Sequence, residues 1–200
     1  PSDAEAFKKR ADQVMADIKN RGMNAIFCHV HSHSDSYGQK LKSFPLSKFM
    51  VTKDSSADFD PLEYMIESAH KQGLSFHAWV NPYRVTNSMM KNIPDNSIVK
   101  QWMGDPSKQR NVLLHDGSYY LNPSSAEVRS YLVNSIGEIC KNYAIDGIQF
   151  DDYFYPSLND GDPAKSFDKA EYDASGSSLG ITQWRRENVS MLVKDVYKAV

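Results

Sequence analysis

The chain of 200 residues lacks several features that would assign it to a class at once. It has no apolar run near the roughly 20 residues that a membrane-spanning helix needs, so we expect no transmembrane segment. Basic and acidic residues are nearly balanced, 23 against 25, which argues against the basic face of a nucleic-acid-binding protein. Neither GxGxxG nor GxxxxGK[ST] occurs, and we expect no cofactor.

Cysteine is also scarce. Only Cys28 and Cys140 occur, both in apolar periodic segments, which favours buried thiols over a disulfide or a nucleophile. The chain opens with the polar run PSDAEAFKK and shows no signal peptide, although a leader removed during export would leave no trace. Aromatic residues, by contrast, make up 12% of the chain, enough to pack a core and also to stack on sugar rings.

Apolar periodicity predicts helices alternating with short strands. Helices are predicted over about 4–20, from the cap Asp60, from the cap Ser124 with Glu127, and from about Thr182 to the end. Strands are predicted at 25–30, 74–80 and 145–150. Alternation of this kind is typical of a parallel sheet with helical crossovers, so we expect an α/β fold.

Long segments follow each predicted strand, at about 31–59, 81–123 and 151–181, whereas the connections into the strands are short. Long loops on the carboxyl side of parallel strands carry the active sites of (β/α)8 barrels. We therefore expect a parallel TIM-barrel-type domain over 1–200, with a doubly wound sheet as the less natural alternative.

Strand alternation predicts which side chains face the barrel interior. Each predicted strand has one plain apolar face and one face that becomes polar toward its carboxyl end. The residues expected around one cavity on that second face are His29, His31, His77, Trp79, Asn81, Gln149 and Asp151.

The segment DGIQFDDYFYP (146–156) ends the third strand with two aspartates. Asp151 continues the inward alternation and Asp152 begins on the other face. Glycoside hydrolysis needs two carboxyl groups, one as general acid and one as nucleophile or base. Because neighbours on a strand diverge, we expect Asp151 or Asp152 to work with a carboxylate from another strand. Tyr153 and Tyr155 fit either a sugar-binding lip or plain packing at the rim.

Four motifs together resemble one family. DGIQFDDYFYP (146–156), FHAWVNPYRV (76–85), YYLNPSSAEVRSYL (119–132) and WRRENV (184–189) are similar in order and spacing to the glycosyl-hydrolase-like 10 family, once called domain of unknown function 187. The resemblance spans most of the chain and implies a (β/α)8-barrel glycosidase. It implies a bacterial protein that is secreted, periplasmic or lipid-anchored, with a polysaccharide such as the peptidoglycan glycan as substrate.

The resemblance also implies site residues. Asp151 and Asp152 match the family's acidic pair, Asn81, Tyr83 and Arg84 match the loop after its third strand, and Asn122 matches the LNP asparagine. Two positions depart from the family pattern: His29-Val30-His31 stands where Gln-Val-Arg is frequent, with Asp35 retained, and Gln149 stands where histidine is frequent. The family's first strand and its strands five to eight are expected outside this chain, which would then carry strands two to four.

Two other functions compete with a glycosidase. The alternating histidines of HVHSHSD (29–35) resemble the HxH metal ligands of amidohydrolase or phosphoesterase barrels, and His77 and Asp151 could complete a metal site. The third possibility is a relative that binds glycans without cleaving them. Composition and motifs do not indicate the oligomeric state.

Overall fold

The computed structural model describes residues 3–47, 59–87, 92–151, 154–156 and 167–200, which form an α/β fold with a parallel sheet. The elements are α1 (Ala4–Asn20), β1 (Ala25–His31), α2 (Pro61–Lys71), β2 (Ser75–Val80), α3 (Ile98–Gly104), a 3-10 turn (Gln109–Asn111), β3 (Val112–His115), β4 (Ser118–Leu121), α4 (Ala126–Asn142), β5 (Gly147–Gln149), α5 (Lys169–Ser175) and α6 (Ile181–Ala199). The four predicted helices and three predicted strands are confirmed. Within these ranges no helix is both long enough and apolar enough to cross a bilayer.

The chain divides into two compact units, Pro1–Val80 with Glu138–Asp151 and Asn81–Gly137 with Asp152–Val200. The expectation of a single barrel domain over 1–200 stays a prediction.

The first unit contains the parallel sheet, in the order β1-β2-β5. Its helices begin where the sequence supplies a cap. The Asp3 carboxylate accepts from the Ala6 N–H at 2.7 Å, and Asp60 caps α2 by accepting from the N–H groups of Leu62 and Glu63. These caps leave few helix-end donors unsatisfied, so α1 and α2 are well defined at their N-termini.

The two faces of this sheet differ in burial. Phe76, Ala78 and Val80 of β2 are fully buried and belong to the core, whereas Phe27 of β1 is 56% exposed. His77 and Trp79, which alternate with the buried residues, are half-buried. The polar face predicted from strand alternation therefore lies opposite the core.

Two carboxylates hold the long loop that follows β1. The Tyr143 hydroxyl donates to Asp60 at 2.5 Å and accepts from the Lys40 N–H at 2.9 Å. Glu138 accepts from the N–H groups of residues 42 and 43, at 2.8 and 3.0 Å. The loop is thus tied to the start of α2 and the end of α4.

The second unit contains the β3–β4 hairpin, whose strands pair antiparallel. Asp116 and Gly117 form its two-residue turn, with φ of 47° and 71°. The preceding segment lies against β4, since the Leu121 N–H donates to the Tyr83 carbonyl at 2.8 Å and the Val85 N–H to the Tyr119 carbonyl at 3.1 Å. The hairpin, α3 and α5 all lie in segments predicted as loops.

Candidate active site

A row of polar and aromatic side chains crosses the three parallel strands near their carboxyl ends. His29 is the register partner of Trp79, and Trp79 is the register partner of Gln149. Register partners point to the same face of a sheet, so these three side chains stand side by side. Asp151 follows two residues beyond Gln149 and is exposed.

Trp79 links the row to the aspartate. Its indole stacks on the His29 imidazole with ring centroids 3.5 Å apart and planes 18° apart. Its Nε1–H donates to Asp151 Oδ1 at 2.9 Å. We call His29, Trp79 and Asp151 the strand-end cluster. A donated N–H stabilises negative charge on the accepting carboxylate, so the cluster suits an ionised Asp151.

Two residues before Trp79 and on the same face of the sheet, His77 lies between Phe27 and Gly147, its two register partners. The His77 and Phe27 rings are 4.8 Å apart. A Cβ placed on Gly147 would lie 2.6 Å from His77 Nδ1, far inside van der Waals contact. Glycine in the DGIQF motif therefore leaves the space that the His77 ring occupies, a role that strand alternation alone did not reveal.

The structure corrects the predicted position of His31. The register jumps from the His29–Trp79 pair to a His31–Val80 pair, so Val30 is an extra residue in a β-bulge. Strict alternation predicted His31 beside His29. The bulge instead pairs His31 with Val80, a residue of the buried face.

Buried in this way, His31 is 0% exposed and its ring stacks on Phe44 at 3.9 Å. Burial lowers the pKa of His31 to about 4, so the imidazole is neutral. Its Nδ1 lies 2.6 Å from the Asp35 carbonyl oxygen, which can only accept, so Nδ1 carries the proton. Asp35 is buried too, and its Oδ1 accepts from the His33 N–H at 3.2 Å. Neither His31 nor Asp35 is exposed to a substrate in this arrangement.

The bulge also bears on the metal hypothesis. The HxH pattern presumes that His29 and His31 point to one side, and the structure separates them. Among the described residues no group of three or more His, Cys, Asp or Glu side chains could hold a metal ion. The pair that motivated metal chemistry therefore does not converge.

The second unit carries the residues expected from the loop after β2. Asn81 and Tyr83 are buried, and Arg84 forms an isolated antiparallel bridge with Tyr120. Burial raises the pKa of the Tyr83 hydroxyl well above its usual range. Tyr83 thus lies in the core of this unit, whereas Arg84 is only half-buried.

Asn122 braces the turn before α4. Its Nδ2 donates to the Arg110 carbonyl at 2.8 Å, and its Oδ1 accepts from the N–H and the hydroxyl of Ser124 at 3.0 and 2.7 Å. Ser125, and not Ser124 as predicted, caps the helix, because its Oγ accepts from the Val128 N–H at 3.2 Å. These bonds engage both polar atoms of the Asn122 amide within the fold.

Tyr155 belongs to a network that the sequence reasoning did not identify. Its hydroxyl lies 3.4 Å from Asn188 Nδ2, and the Arg185 guanidinium lies 5.8 Å from its ring centroid. Arg185 forms a forked ion pair with the fully buried Asp168. Arg185 and Asn188 belong to the WRRENV motif. A predicted contact between that motif and the aromatic residues of 146–156 would have located this network.

The first aspartate of DGIQFDDYFYP, Asp146, lies at the start of β5. Asp146 Oδ2 accepts from the Phe76 N–H at 2.7 Å and from His70 Nε2 at 2.8 Å. These bonds, that from Phe76 first, lower the pKa of the Asp146 carboxyl. Asp146 thus ties the start of β2 to the start of β5. Asp152 and Tyr153 lie outside the described residues, and their roles stay predictions.

Comparison with known proteins identifies the family of the chain. The family model described as glycosyl hydrolase-like 10 matches residues 4–200. Glycosyl hydrolase YngK of Bacillus subtilis (strain 168) is 31% identical over 198 residues, covering 96% of this chain and 37% of that protein. Glycosyl hydrolase DigH of Escherichia coli (strain K12) is also 31% identical over 198 residues, covering 92% of this chain and 43% of that protein. The chain thus spans less than half the length of these relatives.

Solved structures show the same fold. Alpha-L-fucosidase isoenzyme 2 from Paenibacillus thiaminolyticus is 13% identical and superposes with a TM-score of 0.59, covering 96% of this chain and 27% of that chain. At this identity the likeness concerns the fold, which is that of glycosidase barrels.

Proposed function

The chain belongs to the glycosyl hydrolase-like 10 family, and on that basis we propose that it forms part of the catalytic barrel of a glycoside hydrolase. The proposed reaction is cleavage of a glycosidic bond by carboxylate chemistry. The observation that carries the proposal is the exposed Asp151 carboxylate at the carboxyl end of a parallel strand, held by an indole N–H. Active sites of (β/α)8-barrel enzymes are built at this end of the strands.

Asp151 acts as the ionised member of the catalytic pair. A general acid must hold its proton until the leaving group departs, which favours an apolar and buried carboxyl group. Asp151 is instead exposed and accepts a hydrogen bond from Trp79, conditions that favour the charged form. It therefore serves as nucleophile in a retaining reaction or as base in an inverting one.

The acid is a second carboxyl group. For retention the two groups stand ~5–5.5 Å apart, and for inversion ~6.5–9.5 Å. Asp152, the neighbour in the chain, is one candidate, and we favour a carboxyl group at the end of another barrel strand, as predicted from the sequence.

The substrate that we propose is a polysaccharide of the bacterial cell wall, such as peptidoglycan glycan strands without peptides. The resemblance to the family supports this substrate. Such a substrate lies outside the cytoplasm, so the whole protein is proposed to be secreted, periplasmic or lipid-anchored.

Replacing Asp151 by Asn in the full-length protein tests the mechanism. The variant keeps an acceptor for Trp79 but cannot act as nucleophile or base, so the release of new reducing ends should fall by about 10³-fold or more. Asp116→Asn is the matched control, because Asp116 is exposed in the hairpin turn at a φ that Asn tolerates. It should keep full activity.

Two results would contradict this proposal in different ways. Full turnover by Asp151→Asn would remove Asp151 from the chemistry. Glycan binding without new reducing ends by the parent protein, at any enzyme concentration, would instead identify a relative that binds glycans without cleaving them.

A further inference from the structure

We propose that Trp79 is a positioning residue that holds the Asp151 carboxylate, and not a platform on which a sugar ring stacks. The inference rests on the proposed function, because it assigns the use of Asp151 to glycan cleavage. It refines the expectation from the sequence, which placed Trp79 among the residues around one cavity.

One face of the indole is already covered. His29 stacks on it at a centroid distance of 3.5 Å, with the two ring planes 18° apart. Gln149 is the register partner of Trp79 on β5, so it stands on the opposite side of Trp79 from His29. A pyranose ring needs an open aromatic face, and the face that His29 covers is closed to it.

The edge of the indole contacts Asp151. Nε1–H donates to Asp151 Oδ1 at 2.9 Å. β5 ends at Gln149, so the strand ladder does not hold the backbone of Asp151 two residues later. The side-chain bond from Trp79 therefore fixes the carboxylate, and the stack on His29 fixes the indole.

Trp79→Phe separates the two roles in the full-length protein. Phe retains an aromatic ring but has no N–H, so a positioning role predicts a kcat about 10- to 100-fold lower, with KM changed by less than about threefold. A stacking platform predicts the opposite pattern, in which Phe is tolerated and Trp79→Ala raises KM. Normal kcat for Trp79→Phe would overturn the proposal.

Trp102→Phe is the matched control. Trp102 lies on α3 in the second unit, where it is buried and packs edge-to-face on Tyr131 at a centroid distance of 5.5 Å. The same atoms are deleted there, outside the strand-end cluster, so kcat should stay at the parent value. An equal loss of kcat in both variants would reveal a general stability effect and overturn the proposal.

A spectroscopic readout makes the inference independent of turnover. With indole-¹⁵N tryptophan, the Trp79 signal is the one missing from Trp79→Phe. Its N–H should exchange slowly with solvent in the parent protein, and its shift should move in Asp151→Ala, which removes the acceptor. An unchanged signal in Asp151→Ala would exclude the bond even in an active enzyme. A parent protein that cleaves no glycan but shows the expected shift would refute the proposed function alone.

Discussion

Gly147→Ala tests whether the close approach of His77 to β5 shapes the strand-end region. The new Cβ would lie 2.6 Å from Nδ1 and 3.0 Å from Cε1 of His77, where ordinary contacts begin near 3.4 Å. The ring must therefore shift by several tenths of an ångström against Phe27. Overpacking of this kind destabilises the fold by about 1–3 kcal/mol, and replacing Gly by Ala within a strand stabilises it by about 0.5–1 kcal/mol. We expect a net destabilisation of about 1–2 kcal/mol.

Urea denaturation of the full-length protein measures the free energy of unfolding, and thermal unfolding of a separate sample measures the Tm. At about 2–4 °C per kcal/mol for a domain of this size, the loss corresponds to a Tm lower by about 2–8 °C. Gly137→Ala is the control: Gly137 lies within α4 and its added Cβ would meet nothing within 4 Å. That variant should gain about 0.5–1 kcal/mol, because Ala loses less backbone entropy than Gly in a helix.

A double-mutant cycle identifies the cause. In a His77→Ala background the ring is absent, so Gly147→Ala should become neutral or stabilising by up to about 1 kcal/mol. The sign of the Gly147→Ala effect would thus reverse between the two backgrounds. The same destabilisation in both backgrounds, or a stabilising effect in the parent protein, would refute the reasoning.

Two further predictions concern stability. Asp146→Asn should cost about 1 kcal/mol at neutral pH, since partial exposure screens its bonds to Phe76 and His70. Because the pKa of Asp146 is lowered in the fold, this contribution is present above the unfolded pKa of about 3.9 and disappears as pH falls through the folded value. Denaturation at neutral pH and in acid should show that the difference in unfolding free energy between the parent and Asp146→Asn becomes smaller in acid. A difference that becomes larger in acid contradicts the reasoning. Arg185→Met should cost about 3–5 kcal/mol because it leaves Asp168 buried without its cation, and denaturant midpoints equal to those of the parent would contradict this.

The sequence predicted the elements whose patterns are long and repetitive. α1, α2, α4 and α6 each carry an apolar stripe over several turns, and the three parallel strands each alternate. These signals located the carboxyl ends of the strands, and with them His29, Trp79 and Asp151, before any contact was known. The Asp116-Gly117 dipeptide between two apolar runs also predicts a hairpin, although 81–123 was predicted as a loop.

Other features depend on tertiary contacts that no periodic pattern records. The bulge at Val30 shifts His31 by one position, and its surroundings include Ser34 at a φ of 54° and the ring of Phe44. Alternation counts residues and cannot detect an extra one within a strand. The helices α3 and α5 have seven residues each, so packing decides them more than propensity does.

The segment 146–156 shows why acidic and aromatic residues are crowded together at the end of one strand. Asp146 ties β5 to the start of β2, and Gly147 leaves room for His77. Asp151 receives the indole N–H where the strand has ended, and Tyr155 packs within the second unit. A single strand-to-loop transition thus contains residues that build the sheet, shape its polar face and present a carboxylate. Because these residues are so close in sequence, any shift in the register of β5 would disturb all of these roles at once. Asp146 and Gly147, five and four residues before Asp151, therefore act on the start of β5, and the Trp79 bond positions the carboxylate beyond its end.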